Sequence, residues 1–431
     1  MLYLGYWIVE CFKGRDRMFN SYVGPWGISS DYGWFHVYAF TMFFGMVVAI
    51  LFSWYRLYKQ KVPTDGFIWS VVFIIPASLL GASFFGKDDP TRPIGFWEKF
   101  AFWQPGMSIH GGVLFGAIVG LIFFAIYKKK TNVSLWVYGD CIIPNILLGQ
   151  VIGRWGNFFN HELLGAVVGY SDVLNASHIS AISWLPAFIR DNCFQLLGGS
   201  PETAFIDGKE MIVFRAPIFL YESLANLGFW AILTFLLPNA FHWFSKKPWK
   251  VEAKKYQLLT MADIQKKTKT KSNSVSNYFT LIHQNHKLKQ KYWNEAFYNY
   301  KADGFVVKEI NQKYKAKKAK AMKEQFFVRN DLITKAYFAR SSKLYHLNNP
   351  KGYVVLRSGV QMWLYFFGWN FIRFCLELQR DDADLFLKHR RTLDYTILIL
   401  IFFLGLVLAV LSQLVFARYF RKNGWTYEKE Y

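Results

Sequence analysis

Four clusters of polar residues stand in a chain that is otherwise largely apolar, and each has chemistry to offer. Gly106-Met107-Ser108-Ile109-His110-Gly111-Gly112 sets one histidine beside paired glycines. An imidazole with an ordinary pKa of about 6.5 is mostly neutral at pH 7, so His110 is either a general base or a hydrogen-bonded structural residue. Gly153-Arg154-Trp155-Gly156-Asn157-Phe158-Phe159-Asn160-His161-Glu162-Leu163-Leu164-Gly165 holds an arginine, two asparagines and a glutamate among glycines. Arg154 presents a planar fork of donors that matches a phosphate; its alternative is an anchor snorkelling to lipid headgroups. Ala216-Pro217-Ile218-Phe219-Leu220-Tyr221-Glu222 ends in a carboxylate that needs a partner, expected to be an arginine of another helix. Trp369, Arg373, Glu377 and Arg380, spaced four, four and three, share one helical face. Its two arginines, about 10 Å apart along the axis, either flank one headgroup or leave a plain internal Arg373–Glu377 pair.

These groups need elements to hold them, and the composition says which. Of 431 residues, 53% are hydrophobic and only 19% charged, where a soluble domain carries about a quarter charged. That argues against a cytosolic enzyme. Seven segments approach the roughly 20 apolar residues a spanning helix needs, at 37–55, 67–86, 110–127, 134–152, 217–237, 358–376 and 393–417. Asp140, Asn145 and Gln150 interrupt the fourth and are expected to face the bundle interior. Basic residues follow the first, third and last segments (Arg56, Lys59, Lys61; Lys128 to Lys130; Arg418, Arg421, Lys422). With alternating spans this places the N-terminus outside and the C-terminus in the cytoplasm, and all four polar clusters at outer ends. Lys13, Arg15 and Arg17 run against that assignment. The expected fold is an all-α integral membrane protein of about seven transmembrane helices with a small extracytoplasmic head. Cys11, Cys141, Cys193 and Cys375 lie far apart, so neither a disulfide scaffold nor a metal site is expected, and no cofactor.

The charge is unevenly spread. Between Ser245 and Arg357 the chain carries 26 Lys+Arg against 7 Asp+Glu, nearly all of the overall +22. Three parts follow: 1–243 as the first membrane part with five spans and the head within 153–216; 244–357 as a basic cytoplasmic insertion; 358–431 as two further spans and a tail. Anionic membrane lipid is one partner for the insertion, at about 1 kcal/mol per basic residue near the surface. RNA is the other, although no RNA-binding module appears.

Together these motifs resemble the bacterial prolipoprotein diacylglyceryl transferases. Gly153 to Gly165 fits that family's signature, Gly-Arg-x-Gly-Asn-Phe-x-Asn-x-Glu-x-x-Gly, at every fixed position, and Gly106 to Gly112 fits its histidine motif. Asp140, Pro144, Leu220-Tyr221-Glu222 and the Arg373/Glu377/Arg380 spacing fit as well, and His36-Val37-Tyr38 looks like its His-x-Tyr. The chain departs from the family pattern at Ser83, Ala216, Phe219 and Trp369.

The resemblance implies an enzyme of the bacterial plasma membrane. It would move the diacylglyceryl group of phosphatidylglycerol onto the lipobox cysteine of a prolipoprotein, releasing glycerol phosphate. His110 would take the thiol proton with Tyr38 as helper, and Arg154 and Arg373 would hold the phosphate. Asn157, Asn160, Glu162, Gly165, Tyr221, Glu222, Glu377 and Arg380 would bind and orient the substrates. The competing classes are a transporter of an anionic solute and a non-catalytic scaffold; no paired, interrupted half-helices favour the former.

Overall fold

The computed structural model describes residues 22–87, 95–101, 109–131, 133–162, 164–268, 275–300, 302–380 and 391–419. It is mostly helical but not all-α, because the loop after the fourth segment holds a sheet. Among the described residues, six helices are long and apolar enough to cross a membrane: Val37–Lys59, Asp65–Gly86, Gly111–Thr131, Leu135–Phe159, Ile218–Val251 and Arg391–Phe416. The remaining expected span forms a helix, Val360–Glu377. It is not among the six, since Gln361, Asn370, Arg373 and Glu377 lower its hydropathy.

By contacts the chain divides into two compact units: Met1–Thr131, Tyr138–Ile232 and Met362–Leu406, and Asn132–Val137, Leu233–Gln361 and Val407–Tyr431. In the first, a short antiparallel hairpin, β1 (Asp31–Tyr32) and β2 (Phe35–His36), leads into α1 (Val37–Lys59). There follow α2 (Asp65–Gly86), α3 (Ile109–Thr131), α4 (Leu135–Ile142) and α5 (Ile146–Phe159). Helices α2 and α3 approach backbone to backbone where Gly81 meets Gly111: a Cβ on Gly81 would stand 2.4 Å from the Gly111 carbonyl oxygen. Without a hydrophobic force between helices in lipid, such close packing of small residues is what holds them. Gly45 of α1 and Gly149 of α5 make the same kind of approach.

The polar residues of the fourth segment turn inward. Asp140 and Asn145 are fully buried. Asp140 accepts a bond from the Met362 backbone N–H at 2.8 Å, and Asn145 donates to Ser53 Oγ at 3.2 Å. Burial without such partners would cost several kcal/mol per group in hydrocarbon.

The head is an antiparallel sheet in the order β3 (Val167–Ser171), β5 (Lys209–Arg215), β4 (Thr203–Ile206). Asp207 and Gly208, both at positive φ, make the two-residue turn that joins β4 to β5. Beneath it Phe158, Phe194, Phe214, Phe219, Ile182 and Leu220 form one apolar core, continuous with the start of α6 (Ile218–Ala231).

The second unit contains the basic insertion, whose described residues are largely helical. Helix α7 (Val275–Trp293) ends in a core of Trp293, Phe297, Tyr298, Tyr353 and Val355. Helices α8 (Gly304–Ala321) and α9 (Phe326–Asn348) form a hairpin, tied by Arg340 Nε to Asn311 at 2.6 Å.

Candidate active site

Helix α5 is oriented by its glycines. A Cβ on Gly156 would stand 2.4 Å from Thr41 Oγ1 and 3.0 Å from the Tyr38 ring, and one on Gly153 would meet Met42. Those positions therefore face α1, and at 100° per residue Arg154 is turned away from it, toward α6. There its Nη2 donates to Glu222 Oε1 at 2.6 Å. Arg154 is thus ion-paired, which answers the expectation of a headgroup anchor and supplies the arginine that Glu222 was expected to need.

Glu222, 1% exposed, is shared. Arg373 of α10 (Val360–Glu377) approaches its second oxygen at 3.5 Å and pairs through Nε with Glu377. The expectation that Arg380 continues this helical face is corrected: α10 ends at Glu377, and the chain turns through Leu378 and Gln379. The turn brings Arg380 back onto Glu377 at 3.2 Å. Three guanidiniums converge on two carboxylates, with the buried Asp394 close behind Glu377. Arg154 Nε and Arg380 Nε have no hydrogen-bond partner among the described residues. Guanidiniums with spare donors suit an anion, and phosphate matches their forks best.

The other expected site residues fall around this cluster. Asn157 donates to Glu162 Oε2 at 3.4 Å. Asn160 caps α5 through its backbone N–H. Gly165 is packed rather than open: its N–H bonds the Ala216 carbonyl, and a Cβ there would stand 2.7 Å from Ile218. Tyr221 is half-buried on α6 beside Glu222, and Tyr38 begins α1 against Gly156. His110 lies in the first turn of α3, but its side chain is outside the described residues, as are Gly106 to Ser108. Two departures from the family pattern have local reasons. Phe219 packs on Phe158 at 5.0 Å in the head core, and Ser83 bonds the Lys99 carbonyl at 2.8 Å.

Two histidines of this region stand within the quoted motifs, but the sequence assigns them no role of their own. His36 contacts Asp31 across the β1–β2 hairpin. His161 is buried against Phe194 with its Nδ1 3.2 Å from the Asn192 carbonyl oxygen. Burial holds the His161 pKa below its ordinary value. The unfolded head then binds the proton more readily, so stability is full above pH ~6.5 and declines as pH falls toward the native pKa. Hydrogen exchange across residues 167–215, corrected for intrinsic rates, is expected to quicken between pH 7 and 5 in the wild type. It is expected to change less in His161→Gln; equal pH dependence in both would remove this role.

A family description, prolipoprotein diacylglyceryl transferase, matches residues 32–254. The chain is 35% identical to the phosphatidylglycerol–prolipoprotein diacylglyceryl transferase of Mycoplasmoides gallisepticum over 45% of its own length and 55% of the relative's. It is 34% identical to the enzyme so named in Malacoplasma penetrans, over 46% and 56%. With that of Streptococcus pneumoniae it shares 32% identity over 46% of its own length and 65% of the relative's. The chain therefore spans somewhat over half the length of the curated relatives it matches.

Proposed function

The chain belongs to the prolipoprotein diacylglyceryl transferase family, and from that premise we propose that it transfers the diacylglyceryl group of phosphatidylglycerol to a prolipoprotein cysteine. The thiolate sulfur attacks the glyceryl carbon that carries the phosphate. A C–S bond forms, the C–O bond breaks, and glycerol phosphate leaves with the electron pair. The thiol proton passes to His110, with Tyr38 beside the path.

The observation that carries this reading is the convergence of Arg154, Arg373 and Arg380 on Glu222 and Glu377, with Arg154 Nε and Arg380 Nε left without hydrogen-bond partners among the described residues. Charge grows on the phosphate as the C–O bond breaks, so guanidiniums that hold it bind the transition state more tightly than the lipid. The carboxylates keep the forks in place before substrate arrives. Asn157, Asn160 and Glu162 support the end of α5, with Gly165 and Tyr221 at the margin. The acceptor thiol comes from the substrate, and the arginines meet the developing charge. We assign the chain to the bacterial plasma membrane, with this cluster on the outer side and Val360–Glu377 as a seventh span held by its polar partners.

The test is direct. Full-length protein in nanodiscs of phosphatidylglycerol, given a lipobox peptide, should add one diacylglyceryl mass to the peptide. A cysteine-to-serine peptide should gain nothing. No gain from phosphatidylglycerol, or an equal gain from phosphatidylcholine, would overturn the reading.

A further inference from the structure

One helical turn deeper than the charged cluster, the same three helices carry a second polar layer that the transfer chemistry leaves unused. Gln150 stands four residues before Arg154 on α5, Asn226 four after Glu222 on α6, and Trp369 four before Arg373 on α10. Contacts on both sides fix their common level. Between α5 and α6, Arg154 meets Glu222 above, Ser223 Oγ bonds the Val151 carbonyl at 3.1 Å, and Trp230 bonds Asn145 below. Between α6 and α10, Arg373 reaches Glu222 above, and Phe229 fills the space beside Gly368 below. Gln150, Asn226 and Trp369 lie between these brackets.

Four of their polar atoms are spare, while Gln150 also hydrogen-bonds Tyr365 of α10. Asn226 is 0% exposed, and both its Oδ1 and Nδ2 lack a hydrogen-bond partner among the described residues. The same holds for Gln150 Oε1 and Trp369 Nε1, both buried. Unpaired amides at this depth are costly and mark a place where a ligand or water completes the bonding. The layer offers two acceptors and two donors. Lipid ester groups only accept, and would leave Gln150 Oε1 and Asn226 Oδ1 unmet. A peptide backbone both donates and accepts, and an asparagine side chain matches it with paired bonds.

The geometry points to a subsite, formed by Gln150, Asn226 and Trp369, for the backbone of an extended peptide segment just ahead of the acceptor cysteine. It rests on the transferase reading. A thiol held at the level of the arginines leaves the residues before it deeper in the membrane. If that stretch is not helical, its N–H and C=O groups have no other partners there.

Kinetics on the full chain in phosphatidylglycerol nanodiscs, with lipobox peptide and lipid varied in turn, test it. Asn226→Leu is expected to raise the KM for peptide about ten-fold, with the KM for phosphatidylglycerol unmoved. Leucine removes an unpaired buried amide, so the variant should melt no lower than wild type. Trp369→Phe, which loses the N–H together with the ring that carries it, should raise the peptide KM about three-fold. As a second readout, a serine-substituted lipobox peptide with a benzophenone two residues before the serine should crosslink within this layer. Unchanged peptide KM in both variants shows a layer holding only water, and a raised lipid KM in its place shows ester binding; either overturns the subsite. Wild-type protein that transfers nothing refutes the transferase reading instead, and the crosslink still decides the subsite: attachment elsewhere ends it.

Discussion

Arg154→Ala is expected to slow diacylglyceryl transfer by a factor of about 10² to 10³, the cost of removing one preorganised donor from a site of developing negative charge. The protein should remain inserted and folded. Arg154 is the more exposed of the two guanidiniums on Glu222, at 21% against 13%. When it is gone, Glu222 still has Arg373 at 3.5 Å, so no carboxylate is left alone in the interior. Loss of rate with little loss of stability separates a phosphate ligand from a structural anchor. The measurement is initial rate by mass spectrometry beside thermal unfolding in the same nanodiscs. Near-normal transfer would remove the phosphate role.

Glu222→Leu should do the reverse. This carboxylate is the group that Arg154 and Arg373 share, and it is buried. Leucine leaves Arg154 without its carboxylate and Arg373 with Glu377 alone; breaking a buried pair costs about 3–5 kcal/mol. Thermal unfolding of Glu222→Leu should therefore fall well below that of Arg154→Ala, and expression with it. Glu222→Gln, which keeps an acceptor for Arg154 but not the charge, should lie between. A Glu222→Leu protein that melts with the wild type would show that the cluster does not need its carboxylate.

The two substitutions differ because the cluster was only partly legible in the sequence. Six spans could be read from apolar runs, since hydrocarbon enforces length and composition. The need of Glu222 for an arginine followed from the cost of a lone carboxylate. Which arginine, and that Arg373 shares it, depends on rotations of α5 and α10 that glycines such as Gly156 set through contacts distant in sequence. Arg380 was misplaced for a related reason. Spacing alone continues a helix, whereas the chain turns after Glu377 and returns the side chain by a different route. The head sheet was missed because its strands are short and β3 is broken by a register shift between Val167 and Gly169. The spare amide of Asn226 was invisible within a long apolar run, because a single asparagine says nothing about its partners until the helices beside it are known.

The most direct test is a cryo-electron-microscopy map of the full-length protein in phosphatidylglycerol nanodiscs, read for the position of the lipid phosphate. Density for the phosphate within hydrogen-bond distance of both Arg154 and Arg373 is the predicted result. A headgroup bound elsewhere, with both guanidiniums still closed on Glu222, would contradict the phosphate clamp.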